Sequence, residues 1–136
     1  MYSDHAHNLV TRQSITGLLG YVGSTSITWL SKRQGIIASS TYAAEFSALR
    51  TSTEETQKLR YMPHCLRYNV PAYGSCPIQL FRDNLSVILN SQNPAANIAK
   101  KHVAIPFHVV REVIAAGIIN LYWFRGKHNT SDLMAK

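Results

Sequence analysis

Residues 15–22 are mostly apolar and β-prone, and residues 27–33 alternate apolar and polar side chains, with Gly23, Ser24, Thr25 and Ser26 between them. That pattern predicts a β-hairpin. Ile36, Ile37 and Ala38 predict a short third antiparallel piece. From Tyr42 towards Leu66 the spacing becomes helical, with Ser40-Thr41 as the N-cap signal. Ala44, Ala48, Leu49, Leu59 and Met62 fall on faces expected to be buried, and Thr53, Glu54, Glu55, Gln57 and Lys58 on a solvated one. Pro71 and Gly74 mark a loop over residues 68–75. Residues 78–82 then read as a buried strand that ends in Asp83 and turns directly into a helix reaching about Asn90, where Ser91-Gln92-Asn93-Pro94 breaks it. An amphipathic helix over 103–116 closes at Gly117, a C-cap residue, and residues 118–124 form a last strand. A polar loop follows, and Ser131 starts a further helix. Hairpin, long helix, strand, helices, strand and helix together fit the α/β class, a mixed sheet with helices packed on it.

Composition narrows this picture only a little. With 136 residues, 46% hydrophobic and 15% charged, the chain is expected to form one domain, 1–136, with a proper core. No apolar run approaches the roughly 20 residues that span a bilayer, and the N-terminus lacks the pattern of a secretory signal, so an intracellular protein, cytoplasmic or nuclear, is expected. Cys65 and Cys76 form no CxxC pair and read as reduced thiols. Charge is more informative: 14 Lys and Arg against 7 Asp and Glu give a net +7. Such an excess suits a polyanionic partner, nucleic acid first, although a generic basic surface has the same composition.

With only seven acids available, their positions matter. Asp83 stands at a strand tip, where ligands gather in open α/β sheets; the alternative is a helix N-cap. Glu45 lies in the first turns of the long helix, on the side of Phe46 and Leu49; the alternative is a surface carboxylate favoured by the helix dipole. His5 and His7 share a strand face, but no third ligand for zinc is evident. Trp29, Tyr122, Trp123 and Phe124 offer rings for base stacking, although aromatics alternating in strands are more often core or sheet surface.

Eight blocks carry a resemblance. They are Tyr2-Ser3-Asp4, Ala6-His7-Asn8-Leu9-Val10-Thr11-Arg12, Ser31-Lys32-Arg33-Gln34, Ser39-Ser40-Thr41-Tyr42-Ala43-Ala44-Glu45-Phe46, Asp83-Asn84-Leu85-Ser86-Val87-Ile88, Lys100-Lys101-His102-Val103-Ala104-Ile105, His108-Val109-Val110-Arg111-Glu112 and Ser131-Asp132-Leu133-Met134-Ala135-Lys136. In that order and spacing the chain resembles the ribonuclease H domain of Ty1/copia-type retrotransposon polyproteins. The resemblance implies the ribonuclease H fold, a five-stranded mixed sheet flanked by helices, here with its first strand truncated. It implies hydrolysis of the RNA strand of RNA:DNA hybrids, with Glu45, Asp83 and Asp132 at carboxylate positions of the family and Asp4 as the first acid. It further implies a pair of Mg²⁺ ions, or Mn²⁺ in their place, held by Asp4, Glu45, Asp83 and Asp132. Hard oxygen ligands suit Mg²⁺, and two such ions activate a water and neutralise charge on the leaving oxygen. His128 resembles the histidine that many ribonucleases H carry before the last acid and would shuttle a proton; the alternative is an ordinary loop histidine. Lys100, Lys101, Arg111, Arg125 and Lys127 are candidate phosphate contacts.

The first block departs from the family, which typically reads Tyr-Ser-Asp-Ala-Asp. Aligned from the left, Asp4 is the catalytic acid; aligned from the right, through Ala6-His7-Asn8-Leu9, it is the neighbouring acid and the catalytic one is missing. A truncated first strand also leaves ladder groups for another chain, an upstream reverse transcriptase domain or a strand-donating partner, to fill. A rival expectation is a domesticated, catalytically inactive nucleic-acid-binding or structural subunit of a larger assembly that keeps the fold and the basic surface.

Overall fold

Ser40 opens the longest element. Its hydroxyl accepts from the Ala43 amide at 3.3 Å and its carbonyl from the Ala44 amide at 3.1 Å, which starts α1 (Thr41–Cys65) where the capping signal predicts. The computed structural model of the chain describes residues 2–4, 13–35, 37, 40–65, 76–93, 95, 101–126 and 130–131, with 2–4, 63–65 and 101–102 as backbone alone. The other elements are β1 (Tyr2–Asp4), β2 (Ile15–Val22), β3 (Thr25–Arg33), β4 (Ile78–Arg82), α2 (Leu85–Gln92), α3 (Lys101–Ala115) and β5 (Ile119–Trp123). Of the predicted third antiparallel piece only Ile37 is described, exposed and in no strand; Ile36, Ala38, the 68–75 loop and the helix after Ser131 lie outside the described residues.

The hairpin forms as expected but with a tighter turn. Val22 pairs with Thr25, leaving Gly23 and Ser24 as a two-residue connection, and Gly23 takes the positive φ of 62° that a primed turn requires at its first central position. β1 adds antiparallel to β2, with Asp4 opposite Ile15, so β1-β2-β3 is a three-stranded sheet. β4 and β5 pair in parallel, Arg82 opposite Trp123, through α2 and α3. Among the described residues the strands thus form two sheets, an antiparallel trio and a parallel pair, instead of the expected single five-stranded sheet. The mixed α/β class stands. Among the described residues the two sheets share no backbone ladder and are tied together through α1.

α1 lies along the parallel pair and runs opposite to it. Near its start Glu45 meets Arg82, at the end of β4; fifteen residues on, Arg60 donates to the carbonyl of Ile118 at 3.2 Å, where β5 begins. Phe46, Leu49, Val87, Val103, Phe107, Val110, Ile119 and Leu121 pack the core, with the Phe46 and Phe107 rings edge to face at 5.8 Å.

Two expectations about α1 are corrected. Thr53, placed on the solvated face, is fully buried, while Met62, placed on a buried face, is half exposed. The buried stripe continues through hydroxyls: Ser52 donates to the Ala48 carbonyl and Thr53 to that of Leu49, each at 2.9 Å. Bonded back to its own helix, a hydroxyl is buried at little cost. Beyond the end of α3, Gly117 at φ 68° closes the helix, with Gly117 N–H on the Ile114 carbonyl and Ile118 N–H on that of Val113, the paired bonds of a Schellman cap.

Candidate functional site

The C-terminal end of β4 gathers the charged groups. Strand parity sends Leu80 and Arg82 to the α1 side of the pair, and Arg82 is completely buried there. A guanidinium removed from water requires a counter-charge and acceptors. Glu45, 4% exposed, supplies both: its Oε2 forms an ion pair with Arg82 Nη2, and its backbone carbonyl accepts from Arg82 Nη1 at 3.0 Å. Burial pulls the Arg82 guanidinium down to about 10, against the upward pull of the Asp83 carboxylate, so it remains a cation at neutral pH. Its Nε has no hydrogen-bond partner among the described residues.

Asp83 follows at the strand tip, and it does not cap α2. Asn84 is the N-cap, its side chain accepting from the Val87 amide at 3.3 Å. Asp83 is fixed through its backbone instead: the Trp123 indole N–H donates to the Asp83 carbonyl at 3.0 Å, while one residue earlier the Phe124 amide bonds the Arg82 carbonyl at 2.6 Å. Its carboxylate has Oδ1 buried without a hydrogen-bond partner among the described residues, and Oδ2 beside Gly126. A Cβ at 126 would stand 3.2 Å from Oδ2, so the missing side chain keeps that flank open.

The structure thus brings Glu45 and Asp83 to one end of the molecule, with Arg82 between them. β1 reaches the same end by its register. Asp4 lies opposite Ile15, and the adjoining Ser14 carbonyl accepts from the Gln34 amide at 2.8 Å; the Gln34 side chain in turn donates to the Ala44 carbonyl, one residue before Glu45. The Asp4 side chain, Asp132, His128, Lys100 and Lys127 lie outside the described residues, as do His5 and His7, and Lys101 is described as backbone only. Arg125 is exposed just beyond β5. Arg111 is less available than its sequence position suggests: its guanidinium lies 5.0 Å over the Phe107 ring and its side chain is half buried.

As a seat for a hard divalent cation the two described acids differ. Asp83 fits, because an unmatched buried carboxylate oxygen is what such an ion satisfies. Glu45 does not fit in the same way, since one of its oxygens is already committed to Arg82. No group of three or more His, Cys, Asp or Glu side chains suited to a metal occurs among the described residues.

Arg82 is the residue that sequence reasoning missed. Its signal was parity: it shares a face with Leu80, while Glu45 sits amid Ala44, Phe46, Ala48 and Leu49, so each is a charge on an apolar surface. Two such misfits of opposite sign on facing elements predict one another.

Comparison with known proteins supplies distant relatives. The chain is 27% identical over 124 residues to the retrovirus-related Pol polyprotein from transposon RE2 of Arabidopsis thaliana, and 27% over 125 residues to that from transposon RE1 of the same plant; each match covers 90% of the chain and 8% of the relative. It is 26% identical over 134 residues to the retrovirus-related Pol polyprotein from transposon TNT 1-94 of Nicotiana tabacum, covering 98% of the chain and 10% of the relative. The chain therefore spans about a tenth or less of the polyproteins it matches. No protein-family model matches it, and no solved structure does. Among the described residues no helix is long and apolar enough to cross a membrane.

Proposed function

We propose that the chain is a ribonuclease H of the Ty1/copia type, which hydrolyses the RNA strand of an RNA:DNA hybrid. The observation that carries this reading is the Asp83 carboxylate, held at the tip of β4 with a buried oxygen lacking any partner among the described residues. The distant likeness to a segment of transposon Pol polyproteins supports it. So does the net charge of +7, which favours a phosphate-rich ligand.

Asp83 would hold Mg²⁺, joined by Asp4 and Asp132, with Glu45 as the fourth acid of the centre. Bound there, the metal would supply an activated water and charge neutralisation at the leaving oxygen. The chain's own contribution is to orient. Asn84 takes over the capping of α2 and so leaves the Asp83 carboxylate uncommitted. Trp123 fixes the Asp83 backbone and Gly126 leaves one flank of its carboxylate clear. His128 would move a proton to or from the leaving group, and Lys100, Lys101, Arg111, Arg125 and Lys127 would hold phosphates.

One observation favours a second reading, a subunit that binds nucleic acid without cutting it: the Glu45 carboxylate is neutralised from within the protein. A labelled RNA:DNA hybrid incubated with the protein and Mg²⁺, beside Asp83→Asn, separates the two. Cleavage that Asp83→Asn reduces by at least about a hundredfold upholds the hydrolase. Binding with no cleavage by either protein upholds the second reading.

A further inference from the structure

The two acids described at the β4 tip are in opposite states. Glu45 Oε2 is held by a guanidinium with both side chains out of water, 6% and 0% exposed, whereas Asp83 Oδ1 has no partner among the described residues. A guanidinium and a divalent cation compete for the same carboxylate lone pairs. Here the guanidinium is held by more than the carboxylate. Arg82 belongs to the β4–β5 ladder, opposite Trp123, and its second amino group is bonded to the Glu45 carbonyl at 3.0 Å. An incoming ion that took Glu45 would leave that guanidinium buried without its counter-charge, an arrangement proteins avoid.

Charge points the same way. Glu45 is paired with Arg82, whereas the Asp83 carboxylate, though it also pulls on that guanidinium, keeps an oxygen with no hydrogen-bond partner among the described residues. A dication seated between Glu45 and Asp83 would also face the Arg82 cation across a water-poor region, where repulsion is weakly screened.

We propose that Arg82 is a built-in counter-cation standing in for the ion that Glu45 would otherwise hold, so that this centre takes a divalent cation through Asp83 and not through Glu45. The inference rests on the metal-binding reading of the site and departs from it on one point, the role of Glu45. It makes Arg82 a positioning residue, and it turns the expected pair of ions into a single one unless the guanidinium is removed.

The test uses Mn²⁺ alone as the probe, titrated into the full chain by calorimetry and by the loss of its free-ion paramagnetic resonance signal. The double replacement Glu45→Leu with Arg82→Met, which removes both charges of the pair and so strands neither, is expected to change the Mn²⁺ affinity by less than about twofold, while Asp83→Asn weakens it at least about tenfold. Arg82→Met, which frees Glu45, is expected to bind an additional Mn²⁺ and to be stabilised against heat by Mn²⁺ more than the natural protein is. If the double replacement weakens Mn²⁺ binding as strongly as Asp83→Asn, Glu45 is a ligand beside Arg82; the inference is overturned and the hydrolase reading survives. If the natural protein binds no Mn²⁺ but Arg82→Met does, Asp83 takes no ion beside the intact pair, and the inference falls together with metal-dependent hydrolysis by the natural protein. If Arg82→Met is folded by circular dichroism and neither it nor the natural protein binds Mn²⁺, both fall. Should Arg82→Met fail to fold, the comparison of the double replacement with Asp83→Asn decides alone.

Discussion

Two buried polar side chains reach the same turn of α1 from different sheets, and they differ in charge. From the antiparallel sheet, Gln34 donates to the Thr16 hydroxyl at 3.0 Å and to the Ala44 carbonyl at 2.9 Å. From the parallel pair, Arg82 donates to the carbonyl of the next residue, Glu45, and forms an ion pair with its carboxylate. Each carbonyl keeps a second lone pair after its helical bond, which is what lets a side chain attach there. The neutral clamp uses an amide, which costs little to desolvate once bonded. The charged clamp uses two ions whose desolvation consumes most of their attraction. Both tie a sheet to α1, but only the second can be turned towards chemistry, because only it holds charge beside Asp83.

The contrast breaks most sharply when one member of the charged clamp is removed. Glu45→Ala leaves a fully buried guanidinium without its partner and is expected to cost about 3–5 kcal/mol in urea-induced unfolding. The double replacement Glu45→Leu with Arg82→Met is expected to regain most of that loss, since apolar residues of similar volume often replace a buried pair at no cost. A loss under about 1 kcal/mol for Glu45→Ala would mean that the guanidinium finds water and that the clamp does not hold the sheet.

Gln34→Ala sharpens the comparison from the neutral side. Two hydrogen bonds disappear and no ion is stranded, so the expected cost is about 1–3 kcal/mol by the same measurement. If it matched or exceeded that of Glu45→Ala, charge would not be the distinction between the clamps.

The parts of the fold that were legible in the sequence are the ones set by near neighbours. Ser40 as cap, the hairpin, the strand ending before Asp83 and the closure at Gly117 each depend on a few consecutive residues. The division into two sheets was not legible, because which strand lies beside β1 is decided by partners far along the chain. At the site, the position of Asp83 was readable but its environment was not. A helix cap by Asp83 and one by Asn84 look alike in sequence, and only the bond from the Val87 amide to Asn84 separates them. Thr53 misled for a related reason: polarity suggested water, and the carbonyl of its own helix took water's place.

The smallest effect comes from a pair with the same chemistry as the charged clamp but a different setting. Arg50 and Glu54 meet at 2.8 Å, four residues apart on the open face of α1, with side chains 44% and 45% exposed. Water already solvates both ions, and holding two long side chains in one geometry costs entropy, so an exposed i,i+4 pair contributes about 0.3–0.5 kcal/mol at most. Glu54→Gln is therefore expected to shift the urea midpoint barely, and 1 M salt, which shortens the screening length to about 3 Å, to erase even that difference. Glu45→Ala in the same salt should keep nearly all of its effect, because ions do not penetrate to a side chain with no exposed surface. Equal salt sensitivity for the two variants would show that solvent reaches Arg82, and the distinction between a buried counter-cation and an ordinary surface pair would be lost.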